Sequence, residues 1–469
     1  MSGGGTSMIA HPEPHMRAHA RVFTAGSMLA PFHAAAADAG PEPAAPPSTP
    51  EFVRSPTALN VRSAPNTDGA IVGLIAADAP FLVMLRVPGP ACGSDAKPGE
   101  AKDTPASWGL LPGGYACLSA TTADPGPPEA LPHIVVFDPP TPEEYRSYVR
   151  SGTWPRDLAT AEALTPFIYG KTWRHWQGTT YATEAAWERG DAPLAALEPE
   201  RKYHFVGVVE TPRGALLEMA DGSVVPLDDV YVYPISRFHG EELAGARSLA
   251  QGEAQAWVFA YGGANLRAAP APSGALVRVV PYQAALRVRA TADPRWVEVP
   301  DGVGAGQPGY LSTSVLRVAT PAAAPEGVGP GTTWVDVDTA QQVLMLMRGE
   351  SIEFATLVST GVSERDTPPG VYAMTDKTVF GDMASRPGAP EDEAYAVESV
   401  PWVMHFRPRY ALHGAFWHWG FGHTASHGCV NLAPLDAQRI FDAMSPTLPA
   451  GWATAYASAG QPGTTVRIR

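Results

Sequence analysis

Five histidines, His405, His413, His418, His423 and His427, crowd the 25 residues that end at Cys429, one of only three cysteines in a chain of 469 residues. A thiol attacks as its thiolate, and with a free pKa of about 8.5 it needs a neighbouring imidazole or converging backbone amides to activate it. In "SHGCVNL" (426 to 432) the cysteine follows a glycine. Gly428 lets the backbone turn tightly, exposing the sulfur and aiming amides where an oxyanion needs donors. The chemistry on offer is nucleophilic attack by sulfur with an imidazole as base. Two other readings compete. Cysteine is common in cores, although a core strand seldom carries Ser, His and Gly as the three preceding residues. Histidines with one cysteine can also hold zinc, but the spacing shows neither a His-Glu-x-x-His helix nor a Cys-x-x-Cys pair, and Gly/Trp-rich intervals disfavour a ligand-bearing helix. No metal and no cofactor is expected.

The elements around this cluster read as β-rich. "TWVDVDTAQQVLMLMRGESIEFATLVSTG", from Thr332, gives three β runs punctuated by "TAQQ" and "RGES", a meander, and "TPPGVYAM" adds a proline turn into another strand. Only "APLDAQRIFDAM" (433 to 444) predicts a helix: Pro434 suits a first-turn position, and Ala437, Ile440, Phe441 and Met444 recur at helical spacing.

The segment "LHGAFWHWGFGHTASHGCVNL" resembles the signature of the L,D-transpeptidases of the YkuD family: a His-Gly, an interval, then Ser/Thr-His-Gly-Cys, a hydrophobic residue, and Arg or Asn. The upstream "WVDVDTAQQVLMLM", "LVSTG" and "TPPGVYAM" look like that family's opening strands and its Ser-Thr-Gly and Thr-Pro-x-Gly turns. The resemblance implies that Cys429 attacks the carbonyl between meso-diaminopimelate and D-alanine of a peptidoglycan tetrapeptide and forms a thioester. It implies that His413 is the base, that the Gly414 carbonyl orients its imidazole, and that the amides of Gly428 and Cys429 form the oxyanion hole. His427 is expected to shape the loop and Ser426 to bond locally. Asn431 stands where many members carry Arg, which makes a grip on a substrate carboxylate less secure. His418 and His423 match no family position; with Phe416, Trp417 and Trp419 they are expected to line a lid. The implied partners are peptidoglycan stem peptides, with an outer-membrane lipoprotein or another wall-anchored protein as a further candidate acceptor. Hydrolysis of the same thioester, and an inactive wall-binding scaffold, are the alternatives.

Ahead of this region, "AAAADAGPEPAAPPSTP" (34 to 50) lacks the apolar periodicity to pack and reads as linker. Proline-dense "TTADPGPPEALPH" (121 to 133) and "PAAAPEGVGP" (321 to 330) mark further boundaries. The division expected is a leader and linker at 1–50, a first small β module at 51–125, an additional β-rich module at 134–250, a second small β module at 254–320 and the catalytic domain at 331–469. The first and second small modules share a pattern, "LNVRSAPNTDGAIVGLIAADAPFLVM" from Leu59 and "NLRAAPAPSGALVRVVPYQAALRVRA" from Asn265. Each reads as alternating strands joined by Pro/Gly turns, and each resembles bacterial SH3-like domains. In the middle module, "TPEEYRSYVRSG" looks helical, the Pro-Arg-Gly and Asp-Gly pairs read as hairpin turns, and "TWRHW" (172 to 176) is an aromatic-basic cluster able to stack on sugar. The fold class expected is therefore mainly β.

A formal charge of −14 without a basic stripe argues against a nucleic-acid partner. No stretch approaches the ~20 apolar residues of a membrane-spanning helix. From Met16, two arginines and an Ala-rich run make a weak export signal or a disordered leader. Cys92 and Cys117 flank a Gly/Pro/Lys-rich insert, and an even pair plus one reactive thiol is the arithmetic of an exported enzyme. Their disulfide is expected, closing a loop worth about 3 kcal/mol, and with it a periplasmic or cell-envelope location.

Overall fold

The unbroken apolar run "VLMLM" is a strand buried on both faces. Val343–Arg348 lies between Thr333–Asp338 and Ser351–Leu357, both antiparallel to it, which is the expected meander. Thr333–Asp338 then pairs in parallel with Thr465–Ile468, whose other edge takes Gly370–Ala373. One face of this sheet, through Val335, Leu344, Leu346 and Phe354, packs on Met404, Leu412, Val430 and the helix residues Ile440 and Phe441. The opposite face, through Trp334, Val343, Met345 and Met347, packs on Leu243, Trp257, Ala319 and Phe421.

The structure, a computed structural model, describes residues 51–90, 92, 106–124, 167–172, 178–233, 235–245, 249–304, 306–389, 394–449 and 451–469. The leader, most of the insert after Cys92, the "TPEEYRSYVRSG" segment and residues 173–176 of "TWRHW" lie outside them. The fold is mainly β: among the described residues the α-helices are Glu184–Arg189 and Pro434–Ala443. None of the described helices is long and apolar enough to cross a membrane.

A second sheet is centred on the long strand Ala396–Arg407, flanked by Asp376–Ala384 and Tyr410–Gly414. It runs into the first and the middle of the front regions. Trp452–Tyr456 pairs with Asp376–Ala384 on one side and with Ile71–Ile75 on the other. That second pairing needs Gly73, since a Cβ there would lie 2.2 Å from the Trp452 ring. On its other flank Lys202 pairs with Val397, joining the sheet built by Ile168–Lys171, Lys202–Phe205 and Tyr231–Val232. The Pro-Arg-Gly and Asp-Gly turns do join hairpin strands, Gly207–Thr211 to Gly214–Glu218 and on to Val224–Pro226.

The repeated pattern has a structural counterpart. Leu59–Arg62 pairs with Ile71–Ile75 and Ala264–Arg267 with Leu276–Val280, each with a register shift just before the arginine. Arg62 Nη1 donates to Gly69 O at 2.9 Å and Arg267 Nη1 to Gly274 O at 2.7 Å. The central arginine of each copy thus ties down its own turn. Cys92 and Cys117 are joined by a disulfide, Cα to Cα 5.9 Å. Residues 253–318 form a single seven-stranded antiparallel sheet. The start of the proline-rich stretch read as a boundary is held on the sheet: Arg467 Nη1 donates to Ala323 O and Arg469 Nη2 to Thr320 O, just ahead of the stretch, both at 2.6 Å, while both guanidiniums pair with the buried Asp336.

The helix Pro434–Ala443 carries proline in its first turn and buries Ala437, Ile440 and Phe441, as its spacing dictates. Asp436, also in that turn, is buried, accepts from Gly240 N at 2.9 Å and from the Thr356 hydroxyl. Burial pushes its carboxyl up to about 7, against hydrogen bonds that pull the other way. Because the folded state holds this proton more tightly than the unfolded chain, whose carboxyl titrates at about 4, stability falls as pH rises from about 4 through about 7. Asp436→Asn is expected to flatten that fall, read by urea melts across this range. An unchanged slope would place the linkage elsewhere.

Candidate active site

Two short parallel strands, Tyr410–Gly414 and Val430–Leu432, place the candidate residues. Leu412 pairs with Val430 and His413 with Asn431. Strand alternation puts His413 and Asn431 on one face, and Cys429 precedes the second strand by one residue. The Ser-Thr-Gly turn holds this cysteine segment by its backbone. Ser359 and Asn431 exchange both N–H to O bonds at 2.9 Å, Ser426 N donates to Thr360 O at 3.1 Å, and Val362 N donates to Ser426 O at 3.1 Å. Thr367 of the "TPPG" turn in turn accepts from Gly361 N at 3.0 Å.

His413 is buried and its Nδ1 lies 3.2 Å from Gly414 O. A carbonyl only accepts, so Nδ1 carries the proton and Nε2 keeps its lone pair. Burial lowers its pKa to about 4, opposed by the Gly414 hydrogen bond and reinforced by His418 and His405. The imidazole is therefore neutral, and available as a base, throughout the neutral range. Cys429 is half-buried and free, its Sγ 3.8 Å from Arg409 O. Desolvation raises its pKa, and the Ala411 backbone and the Arg409 charge offset part of that rise. Thiol and imidazole are thus both neutral at rest. Alkylation of Cys429 by iodoacetamide is accordingly expected to titrate above the range of an ordinary cysteine, followed by mass spectrometry against pH. A midpoint below that range would mean a resting thiolate.

Ser426 bonds locally, as expected: Oγ donates to Cys429 O at 2.5 Å and accepts from Gly428 N at 3.1 Å. That second bond alters the expected oxyanion hole. The Gly428 amide is committed to Ser426, because the turn that exposes the sulfur also folds this N–H back on the serine. Gly428 is needed for another reason: its φ is 115°, and a Cβ would sit 2.7 Å from the Tyr410 ring. His427 is exposed and packs its ring 5.0 Å from that of Tyr395.

The loop between the two strands covers the histidine side. Trp417 lies with its ring 5.6 Å from that of His413 and T-shaped on Phe416. Phe416 is stacked on Tyr169 at 3.7 Å, and the Tyr169 hydroxyl donates to Ser399 O at 2.6 Å. From the other side, Tyr282 Oη donates to Phe421 O at 2.9 Å, Gln283 Nε2 to Trp419 O at 3.0 Å and Arg317 Nε to Gly422 O at 2.9 Å. His423 turns away from the site, its Nε2 2.7 Å from Phe259 O and its ring stacked on Tyr261. His418 turns inward, with Nε2 3.0 Å from Asn431 Nδ2. Sequence spacing did not single out Tyr169, Tyr282, Arg317 or Tyr395, since nothing local marks a residue that reaches the site from a distant element. Among the described residues no cluster of three His, Cys, Asp or Glu side chains is placed to hold a metal.

Residues 332–468 match the YkuD family model, described as the L,D-transpeptidase catalytic domain. No curated protein matches the chain. Among solved structures, the catalytic domain of an Enterococcus faecium L,D-transpeptidase is 20% identical over 30% of this chain and 98% of its own, with a TM-score of 0.23. An L,D-transpeptidase from Mycobacterium smegmatis is 17% identical over 51% of this chain and 90% of its own, TM-score 0.25. L,D-transpeptidase 3 from Mycobacterium tuberculosis, in complex with a faropenem-derived adduct, is 17% identical over 34% of this chain and 73% of its own, TM-score 0.24. The family match spans the meander, the paired strands and the helix after the cysteine, so residues 332–468 of this chain form an L,D-transpeptidase catalytic domain of the YkuD family.

Proposed function

We propose that the chain is a cell-envelope peptidoglycan L,D-transpeptidase working through a thioester on Cys429. The observation that carries this reading is the placing of His413, its Nδ1 3.2 Å from Gly414 O, on the strand beside the one that the free, half-buried Cys429 precedes. His413 takes the thiol proton as sulfur adds to the carbonyl that joins diaminopimelate to D-alanine. The C–N bond breaks, D-alanine leaves with that proton, and the acyl group stays on sulfur. An acceptor amine then attacks, His413 takes its proton, and the thiolate departs. The Cys429 amide supports the oxyanion, and Asn431 and Trp417 bound the donor. The acceptor amine belongs to a second stem peptide or to a wall-anchored protein. The front modules, read as SH3-like, hold the catalytic domain at the wall. The disulfide of the first module, which leaves Cys429 as the free thiol, supports an oxidising compartment.

The test is incubation with defined disaccharide tetrapeptides, followed by mass spectrometry. Cross-linked dimer with release of D-alanine is the expected product. Tripeptide alone would assign a carboxypeptidase, and unchanged substrate would remove the enzymatic reading.

A further inference from the structure

We infer that His418 is a positioning residue for the acyl donor, acting through Asn431. The inference rests on the transpeptidase reading above. Asn431 is in register with His413 on the adjacent parallel strand and is buried, so its carboxamide lies on the face that carries the general base. The amide nitrogen can only donate. Its contact at 3.0 Å therefore makes His418 Nε2 the acceptor and puts the imidazole proton on Nδ1.

That tautomer has a cost. Nδ1 is buried and without a hydrogen-bond partner, and such groups call for an explanation. The explanation offered by the geometry is that the ring is kept for its Nε2. Burial also keeps it neutral, with a pKa lowered to about 4, so the acceptor is available at any pH at which the enzyme works.

The ring cannot drift from this role. It packs against Phe421, with centroids 4.9 Å apart, and the carbonyls of Phe421 and Gly422 are held by Tyr282 and Arg317. With one N–H of Asn431 fixed by His418, the plane of its amide is set. Oδ1 and the second N–H are then presented in one orientation. Without His418 the amide is free to rotate, and the donor must order it on binding. The loss therefore falls on donor binding.

The experiment compares four full-length proteins on the tetrapeptide donor: wild type, His418→Phe, His418→Gln and Asn431→Ala, with the double variant His418→Phe/Asn431→Ala completing a cycle. His418→Phe is expected to raise KM for the donor by about tenfold, the scale of one hydrogen bond, with kcat within about threefold. His418→Gln, whose Oε1 can accept the same N–H, should restore KM to within about threefold of wild type. In the Asn431→Ala background His418→Phe should add nothing. If the phenylalanine variant does not fold, His418→Asn, too short to reach the amide, takes its place. Equal losses in the Phe and Gln variants, or an undiminished effect of His418→Phe without Asn431, would overturn the inference. A wild type that leaves the donor unchanged would instead overturn the transpeptidase reading.

Discussion

Cys429→Ala is expected to abolish turnover of a tetrapeptide donor and to leave the protein unlabelled by a carbapenem, whereas the wild type should gain the carbapenem's mass on a single residue. Both outcomes follow from one atom. The strained β-lactam carbonyl offers sulfur the same addition as the stem-peptide carbonyl, and Cys429 is the free thiol, because Cys92 and Cys117 are joined. His413→Ala should retain the sulfur but lose the base, lowering kcat/KM by at least the ~10²-fold typical of a lost general base. Labelling that persists in Cys429→Ala would remove the assignment of the nucleophile, whatever the activity data.

A chain beginning at Gly331 is expected to lose cooperative folding and with it turnover, even on soluble muropeptides. From composition this segment is self-sufficient, bounded by a proline-rich linker. In the structure, the second face of its opening sheet is covered by Leu243, Trp257 and Ala319 from the regions in front. Phe416 rests on Tyr169, and the loop over the site hangs on Tyr282, Gln283 and Arg317. Fully burying each large apolar side chain contributes roughly 1.5–3 kcal/mol. Uncovering Trp334, Phe416 and Phe421 together removes an amount comparable with the whole stability of a typical domain, about 5–15 kcal/mol. Thermal melts of the truncated and full-length proteins, with muropeptide turnover beside them, decide the matter. A truncated protein with a sharp transition and full activity would show that the loop stands without its supports.

Local periodicity made the meander, the hairpin turns and the helix at Pro434 legible, because each is dictated by residues within a few positions of one another. Residue types and spacing also marked Cys429 and His413, which the structure brings to neighbouring strands. The fate of the Gly428 amide was not legible, since whether it faces an oxyanion or the Ser426 hydroxyl depends on the turn's dihedral angles. Nor was the difference between His418 and His423. Five residues apart on one Gly/Trp-rich loop, they face opposite ways because one meets Asn431 and the other Phe259 and Tyr261, partners supplied by separate elements.

The pairing of Ile71–Ile75 with Trp452–Tyr456 constrains the timetable of folding. The strand that completes the first module's sheet is made by the ribosome only after the middle module, the seven-stranded sheet and the catalytic meander. Until then Ile71–Ile75 has a bare edge, and an exposed edge invites pairing with other chains. Contacts of such long sequence separation also form slowly, since the intervening loop must be closed first. The first module's sheet is therefore completed only once Trp452–Tyr456 is available to it. Whatever keeps other chains off that edge has to act until Trp452–Tyr456 arrives.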